Sequence, residues 1–114
     1  MKIPDSIRIG GVEHSIKYKA NLNNGFNLAY GHIDYENSII SLSSTIGTEH
    51  QKRCITLWHE ILHGIRNHSG LKIENEEDVV DMFAKGIYQV LQDNGERLFD
   101  LMKSESDIDK RNQE

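Results

Sequence analysis

The chain has 114 residues, a formal net charge of −5 and 37% hydrophobic residues, which suits one domain with a modest core. The negative charge disfavours direct nucleic-acid binding, because such binding depends on basic side chains that neutralise phosphates. Cys54 is the single cysteine, so an intramolecular disulfide and a cysteine-rich zinc ribbon are excluded. We expect a cytoplasmic protein without a membrane span, since the sequence has neither a long apolar run nor a secretory signal.

The first half of the chain alternates apolar and polar residues between turns rich in glycine and asparagine, a pattern typical of β-strands. A hairpin is predicted from about Ser6 to Lys19, with its turn at Gly10-Gly11. A second hairpin is predicted from about Ala29 to Ser43, with its turn at Glu36-Asn37. These segments predict a small antiparallel sheet of three or four strands.

The second half of the chain has the three- and four-residue periodicity of amphipathic helices. A first helix is predicted over about Glu49 to His68, opened by a capping box that begins at Thr48. Asn75 has the side chain of a helix N-cap and opens a second helix, which is predicted to end at Asn94-Gly95. A short third helix is predicted over about Glu96 to Lys103.

These elements predict an α+β fold in which the small sheet packs on two main helices. Residues 1–103 are expected to form a single domain. Residues 104–114 have one apolar residue in eleven, so we expect a charged tail that does not fold.

The first predicted helix contains a His-Glu-x-x-His motif, His59-Glu60-Ile61-Leu62-His63. Four helical residues advance about 400 degrees, so His59 and His63 project from one face and both imidazoles can reach one metal ion. Glu60 is rotated by about 100 degrees from His59, where it can take a proton from water without being a ligand. Two histidines are an incomplete site, because catalytic zinc normally takes three protein ligands.

The third ligand must come from elsewhere in the chain. His68 is the nearest further histidine, but the metzincin pattern requires a glycine three residues and a histidine six residues after His63. Arg66 and Ser69 stand at those positions, so that class is rejected. The other source is a carboxylate from the start of the second helix, where four candidates lie: Glu76, Glu77, Asp78 and Asp81.

Helical phase separates these four carboxylates. Glu77 and Asp81 fall on a mostly apolar stripe that is predicted to pack on the core, whereas Glu76 and Asp78 lean outward and stabilise the helix N-terminus. Because Glu77 and Asp81 are four residues apart, one can bind the metal while the other holds a histidine ring through its second nitrogen. The position in the stripe favours Glu77 as the ligand.

The motif His59-Glu60-x-x-His63, followed by Glu77-x-x-x-Asp81, resembles the gluzincin arrangement. Residues 77–84 are similar to the glutamate, Asn or Asp, then Phe-Ala pattern of the ImmA/IrrE-type zinc metallopeptidases. Small proteins of this type from phages and prophages resemble the chain over nearly its whole length. The resemblance includes the opening Lys2-Ile3-Pro4, the strand from Tyr30 to Asp34 and the helix end from Gly86 to Leu91.

This resemblance implies a zincin-like core that holds one Zn²⁺ per chain through His59, His63 and Glu77. It also implies that Glu60 is the catalytic carboxylate and that Asp81 supports a ligand from behind. The implied activity is hydrolysis of a peptide bond by an activated water molecule, with Glu60 as general base.

An extended peptide or protein is the expected substrate, paired with an edge strand between Gly31 and Ser43. Four residues are candidates to steady the oxyanion or contact substrate: Tyr30, His32, Tyr35 and Tyr88. The alternative function is an inactive zinc-binding regulatory or interaction protein of phage or prophage origin. The intact Glu60 argues against that alternative, because a structural zinc site needs no carboxylate there.

Overall fold

The computed structural model describes residues 2–23 and 28–103, so the predicted tail at 104–114 lies outside the described residues. The predicted α+β class is confirmed, with a four-stranded sheet and two long helices. The elements are β1 Ser6–Ile9, β2 Val12–Lys19, β3 Gly31–Asp34, β4 Ile39–Ser43, α1 His50–Ser69, α2 Glu76–Phe99 and a 3₁₀ turn at Asp100–Met102.

The strands lie in the order β1-β2-β4-β3. Both predicted hairpins are present, since β1 pairs with β2 and β3 pairs with β4 in antiparallel register. However, β2 and β4 run parallel, so the sheet is mixed and the expectation of a purely antiparallel sheet is wrong for this pair. The physical reason is the strand order: β3 lies at the far edge of the sheet and β4 returns between β3 and β2, so β4 runs in the same direction as β2.

Helix α1 packs across one face of the sheet. The buried residues that join α1 to the strands are Ile9, Ile16, Ile33, Ile40, Leu42, Leu57 and Ile61. Gly64 brings α1 close to the sheet, because a Cβ atom added there would lie 3.0 Å from Ile9 Cδ1 and 3.1 Å from Ile33 Cδ1. A side chain at this position would require Ile9 and Ile33 to shift, so Gly64 allows α1 to lie close to the sheet at the His-Glu-x-x-His motif.

The helix boundaries agree with the predictions more closely than the capping does. Helix α1 begins at His50 with Glu49 as the N-cap and no side-chain cap bond, so the capping box predicted from Thr48 is not formed. Asn75 precedes α2 as expected, but it has left-handed φ of 55° and makes no side-chain cap bond. The predicted break at Gly95 is present as non-helical backbone, with φ 32° and ψ −103°. In the part of the chain that is described, neither helix is long and apolar enough to cross a membrane.

Candidate metal centre

Three elements meet around the His-Glu-x-x-His motif. Helix α1 carries the motif, the first turns of α2 lie beside it, and strand β3 forms the opposite wall. Between them is a cleft of about 1020 Å³. Eight of the nine site residues that the sequence predicted line this cleft: His59, Glu60, His63, Glu77, Asp81, Tyr30, His32 and Tyr35. The ninth, Tyr88, does not.

The donor atoms of three side chains converge in the cleft. The Nε2 atoms of His59 and His63 are 3.1 Å apart. Glu77 reaches both rings, with Oε1 2.7 Å from His63 Nε2 and Oε2 3.1 Å from His59 Nε2. These three residues form a group that could hold a metal ion.

The spacing of this group fits a small tetrahedral ion. With metal–donor bonds of about 2.0 to 2.1 Å, tetrahedral geometry separates two donor atoms by about 3.3 Å. The observed separations of 2.7 to 3.1 Å are slightly shorter, so the two rings would have to part slightly and Glu77 would have to move outward to complete the fit. Its side chain is 75% exposed, which leaves room for that movement. The predicted packing of Glu77 on the core is wrong, although its carboxylate lies where a ligand must lie.

Glu76 holds the far side of the His63 ring. Its Oε2 lies 2.5 Å from His63 Nδ1, and its Oε1 lies 2.7 Å from Arg66 Nε. The hydrogen bond with His63 is the main reason that the pKa of Glu76 is lowered, with Arg66 adding to the effect against the opposing cost of burial. The prediction that Glu76 leans outward is therefore wrong. Arg66 lies three residues after His63 on the same face of α1, which is the sequence signal that could have identified Glu76 as a partner.

Asp81 lies behind the other histidine. Its Oδ1 is 3.9 Å from His59 Nδ1, the nitrogen that faces away from the convergence point. Its Oδ2 accepts a hydrogen bond from Lys85 Nζ at 2.8 Å. Asp81 and Glu76 thus lie at the second nitrogens of His59 and His63, where a carboxylate favours the ring orientation that metal binding requires.

Glu60 lies between α1 and β3 and is not part of the donor group. The residue is buried, at 7% exposure, and burial raises the pKa of its carboxyl group to about 7, with His63 lowering and Glu77 raising that value. Gly31 makes room for it, since a Cβ there would lie 2.6 Å from Thr56 Cγ2 and 3.3 Å from Glu60 Oε2. Sequence reasoning did not assign this role to Gly31, although a glycine inside a strand indicates a close approach.

The four candidates for oxyanion or substrate contact fall into two groups. Tyr30, His32 and Tyr35 line the cleft, whereas Tyr88 is 7% exposed in the interior and does not line it. The Tyr35 hydroxyl donates to the carbonyl of His63 at 3.5 Å. Partial burial raises the pKa of Tyr35, and a hydrogen bond with Arg66 opposes this shift.

Strand β3 offers an unpaired edge to the cleft. It is the last strand in the sheet order, and among the described residues no strand pairs with its outer side. The Ser43 amide donates to the Tyr30 carbonyl at 2.8 Å, so Tyr30 belongs to a hydrogen-bonded pair of the β3–β4 ladder. Because such pairs alternate, the amide and carbonyl groups of Gly31 and Ile33 point away from β4.

Comparison with known proteins adds no assignment, since no protein-family model, curated protein or solved structure matches the chain. The chemistry of the cleft therefore has to be inferred from its own residues. They provide two imidazoles and one carboxylate that converge, and a second, buried carboxylate beside them.

Proposed function

We propose that the protein is a zinc-dependent peptidase of the gluzincin type, related to the ImmA/IrrE-type enzymes that its motifs resemble. One observation carries the proposal: Glu60 is a buried carboxylate that adjoins a three-residue donor group without belonging to it. A structural metal site requires only the ligands. A hydrolytic site also requires a base beside them, which is the position that Glu60 occupies.

In this proposal His59, His63 and Glu77 hold the zinc ion. When bound, zinc supplies Lewis acidity, which polarises a carbonyl group and makes a water molecule more acidic. A site with three protein ligands would leave the ion able to bind a water molecule or a substrate oxygen as well. Glu76 and Asp81 keep the histidine rings turned toward the ion, from the side of their second nitrogens.

Glu60 moves the proton. Its pKa of about 7 lets it accept a proton from the attacking water and return it to the departing amine near neutral pH. The buried position beneath Gly31 keeps bulk water from competing for that proton.

The substrate in this proposal is an extended peptide that adds a strand to the outer edge of β3. The outward amide and carbonyl groups of Gly31 and Ile33 would pair with the peptide backbone and bring it past Glu60. Tyr30, His32 and Tyr35 are the side chains of this wall that could donate to the oxygen on which negative charge develops. A cytoplasmic location belongs to the same proposal, because Cys54 is the single cysteine and its thiol is buried, as suits a reducing compartment.

The experiment compares Glu60→Gln with Glu49→Gln. Both residues line the cleft, and both changes remove one carboxylate, but Glu49 is exposed and distant in sequence from the motif. With equal zinc loading, a diverse peptide pool is digested and the products are identified by mass spectrometry. We expect Glu60→Gln to lose about 10²- to 10⁴-fold in cleavage rate, while Glu49→Gln retains activity.

Cleavage that is equal in the wild type and Glu60→Gln would contradict the role of Glu60. If the zinc-loaded wild type cleaves no peptide in the pool, the proposal of an inactive zinc-binding interaction protein is favoured instead. Peptide binding measured with the same pool would then identify its ligand.

A further inference from the structure

Helix α2 has a second apolar surface besides the one that packs on α1. Met82, Phe83 and Val90 are 60%, 51% and 49% exposed. They surround Gly86 on one side of the helix, and we call this surface the outer α2 face. It borders an apolar groove of about 520 Å³, which Leu98 closes beyond the kink at Gly95.

Gly86 has no role in the packing of the described residues. None of their heavy atoms lies within 4 Å of a Cβ atom added at this position. Glycine is nearly the poorest helix former, so its presence in the interior of α2 needs a reason. In a stripe of exposed apolar residues, a glycine at this position allows a second helix to approach the backbone closely.

The outer α2 face lies away from the candidate metal centre. Gly86 follows Glu77 by nine residues, which corresponds to about 900 degrees of helical rotation, or a half turn after two full turns. A partner that covers Gly86 therefore leaves the cleft beside Glu77 open.

We propose that the outer α2 face binds a second copy of this chain, with the two α2 helices antiparallel and crossing at Gly86. The stripe is symmetric about this glycine, since Met82 precedes it by four residues and Val90 follows it by four. A two-fold axis at Gly86 places Met82 of each protomer opposite Val90 of its partner, so the surface is self-complementary. The antiparallel arrangement also sets opposite helix dipole ends side by side.

The exposed apolar area is comparable with the area that a standard dimer interface buries. Besides the three residues of the outer α2 face, the segment after the kink exposes Phe99, Leu101 and Met102 by 54% to 80%. At about 200 Å² for each large side chain, the six residues expose on the order of 700 Å² per protomer. A standard interface buries about 800 Å² per partner. Residues 104–114 are a poor alternative cover, because Ile108 is the one apolar residue among them.

Sedimentation velocity of the full chain tests this proposal over a range of micromolar concentrations. The wild type is expected to shift from monomer to dimer as the concentration rises. Val90→Lys places a charge in the interface and Gly86→Gln blocks the close approach, and each should weaken association at least about tenfold. Gln92→Lys, on an exposed position outside the stripe, is the matched control and should dimerise as the wild type does.

Gly86→Gln separates the interface from folding. A Cβ atom at this position meets no heavy atom and glycine is a poor helix former, so at a concentration where both proteins are monomeric the variant should unfold at a temperature no lower than the wild type. The proposal is overturned if the wild type stays monomeric, or if either interface variant dimerises like Gln92→Lys. Weakening in both interface variants, with the control unchanged, supports it.

Discussion

Glu77 differs from the two histidines of the donor group in its exposure and in the helix that carries it, so its contribution to metal binding is the easiest of the three to isolate. Glu77→Ala removes a carboxylate that lies 2.7 Å and 3.1 Å from the two Nε2 atoms, and we expect it to abolish tight metal binding. Asp78→Ala removes an equally exposed charge from the same helical turn and should leave the affinity unchanged. Metal content after dialysis and competition with a chelator measure both.

Substitution of Glu76 is expected to have an effect on metal affinity between those of Asp78→Ala and Glu77→Ala. Glu76→Gln weakens the support of His63 Nδ1 without removing a ligand, and the metal affinity should fall about 10- to 100-fold. An affinity equal to that of Asp78→Ala would show that the contact with Glu76 does not orient the ring. An affinity as low as that of Glu77→Ala would show that Glu76 is itself a ligand.

Glu60 gives the metal-free protein a pH-dependent stability. Its pKa rises from 4.5 to about 7 on folding, so the folded state holds a proton that the unfolded state has lost between these values. The stabilisation is complete below pH 4.5 and is lost as the pH rises through 7. A shift of this size corresponds to about 3 kcal/mol. Urea unfolding of chelator-treated protein between about pH 5 and 8 measures it.

Glu60→Gln removes the titrating carboxyl group, so the variant is the control for the pH profile of the wild type. The free energy of unfolding of the metal-free variant should change less with pH in this window, and should exceed that of the wild type above about pH 7. Parallel pH profiles for the two proteins would contradict the assignment of the raised pKa to Glu60.

The sequence predicted which residues lie together in the cleft better than it predicted how deeply each one is buried. The spacing of His59 and His63 determines that both rings share one helical face, and this is a local property of α1. The roles of Glu76 and Glu77 depend instead on how the first turn of α2 lies against α1. Glu76 lies on the inner side of this turn, where it pairs with Arg66, whereas Glu77 lies at the solvent edge.

At the scale of elements, Gly31 sets the distance between α1 and the edge strand. Gly31→Ala would place its Cβ 2.6 Å from Thr56 Cγ2, so either the Thr56 side chain or the strand must shift. We expect a loss of about 1 to 3 kcal/mol in the free energy of unfolding, as for other overpacked sites. Chemical denaturation of the wild type and the variant measures this difference.

Thr56→Ser offers a matched rescue. Serine lacks the methyl group that the added Cβ atom would meet, but it keeps the hydroxyl that donates to the Lys52 carbonyl at 2.7 Å. The double variant should recover most of the stability that Gly31→Ala loses, and a double-mutant cycle gives the coupling. If the two substitutions are additive, the close contact does not limit the approach of α1.

The elements themselves were predictable where their signals are local. The turn at Gly10-Gly11 and the break at Gly95 are both present, because glycine adopts backbone conformations that other residues avoid. The parallel pairing of β2 with β4 was not predictable in this way, since it depends on the position of β3 at the far edge of the sheet rather than beside β2. Neighbouring hairpins alone would have given an antiparallel sheet.

At the scale of the whole molecule, α1 is the central layer between the sheet and α2. The sheet buries one face of α1, and α2 packs against its other side through Val80, Ala84 and Tyr88. Several carboxylates gather at the junction of the two helices, and Glu60 adds a fourth beside Glu76, Glu77 and Asp81. Glu77 raises the pKa of Glu60, so these two carboxylates repel each other when both are ionised, and a divalent cation would offset that repulsion.

Zinc should therefore stabilise the fold and, above all, the attachment of α2. Zinc at about 1,000 times its dissociation constant adds about 4 kcal/mol to the free energy of unfolding, provided that the unfolded chain does not bind it. Thermal unfolding with zinc and with chelator should show a corresponding rise in Tm. Glu77→Ala should show little of this rise, because its ligand group is incomplete. Hydrogen exchange should locate the gain in α2 and in the second half of α1 rather than in β1 and β2. Equal zinc-induced rises in the wild type and Glu77→Ala would mean that the ion binds elsewhere, and protection confined to the sheet would mean that it does not join the two helices.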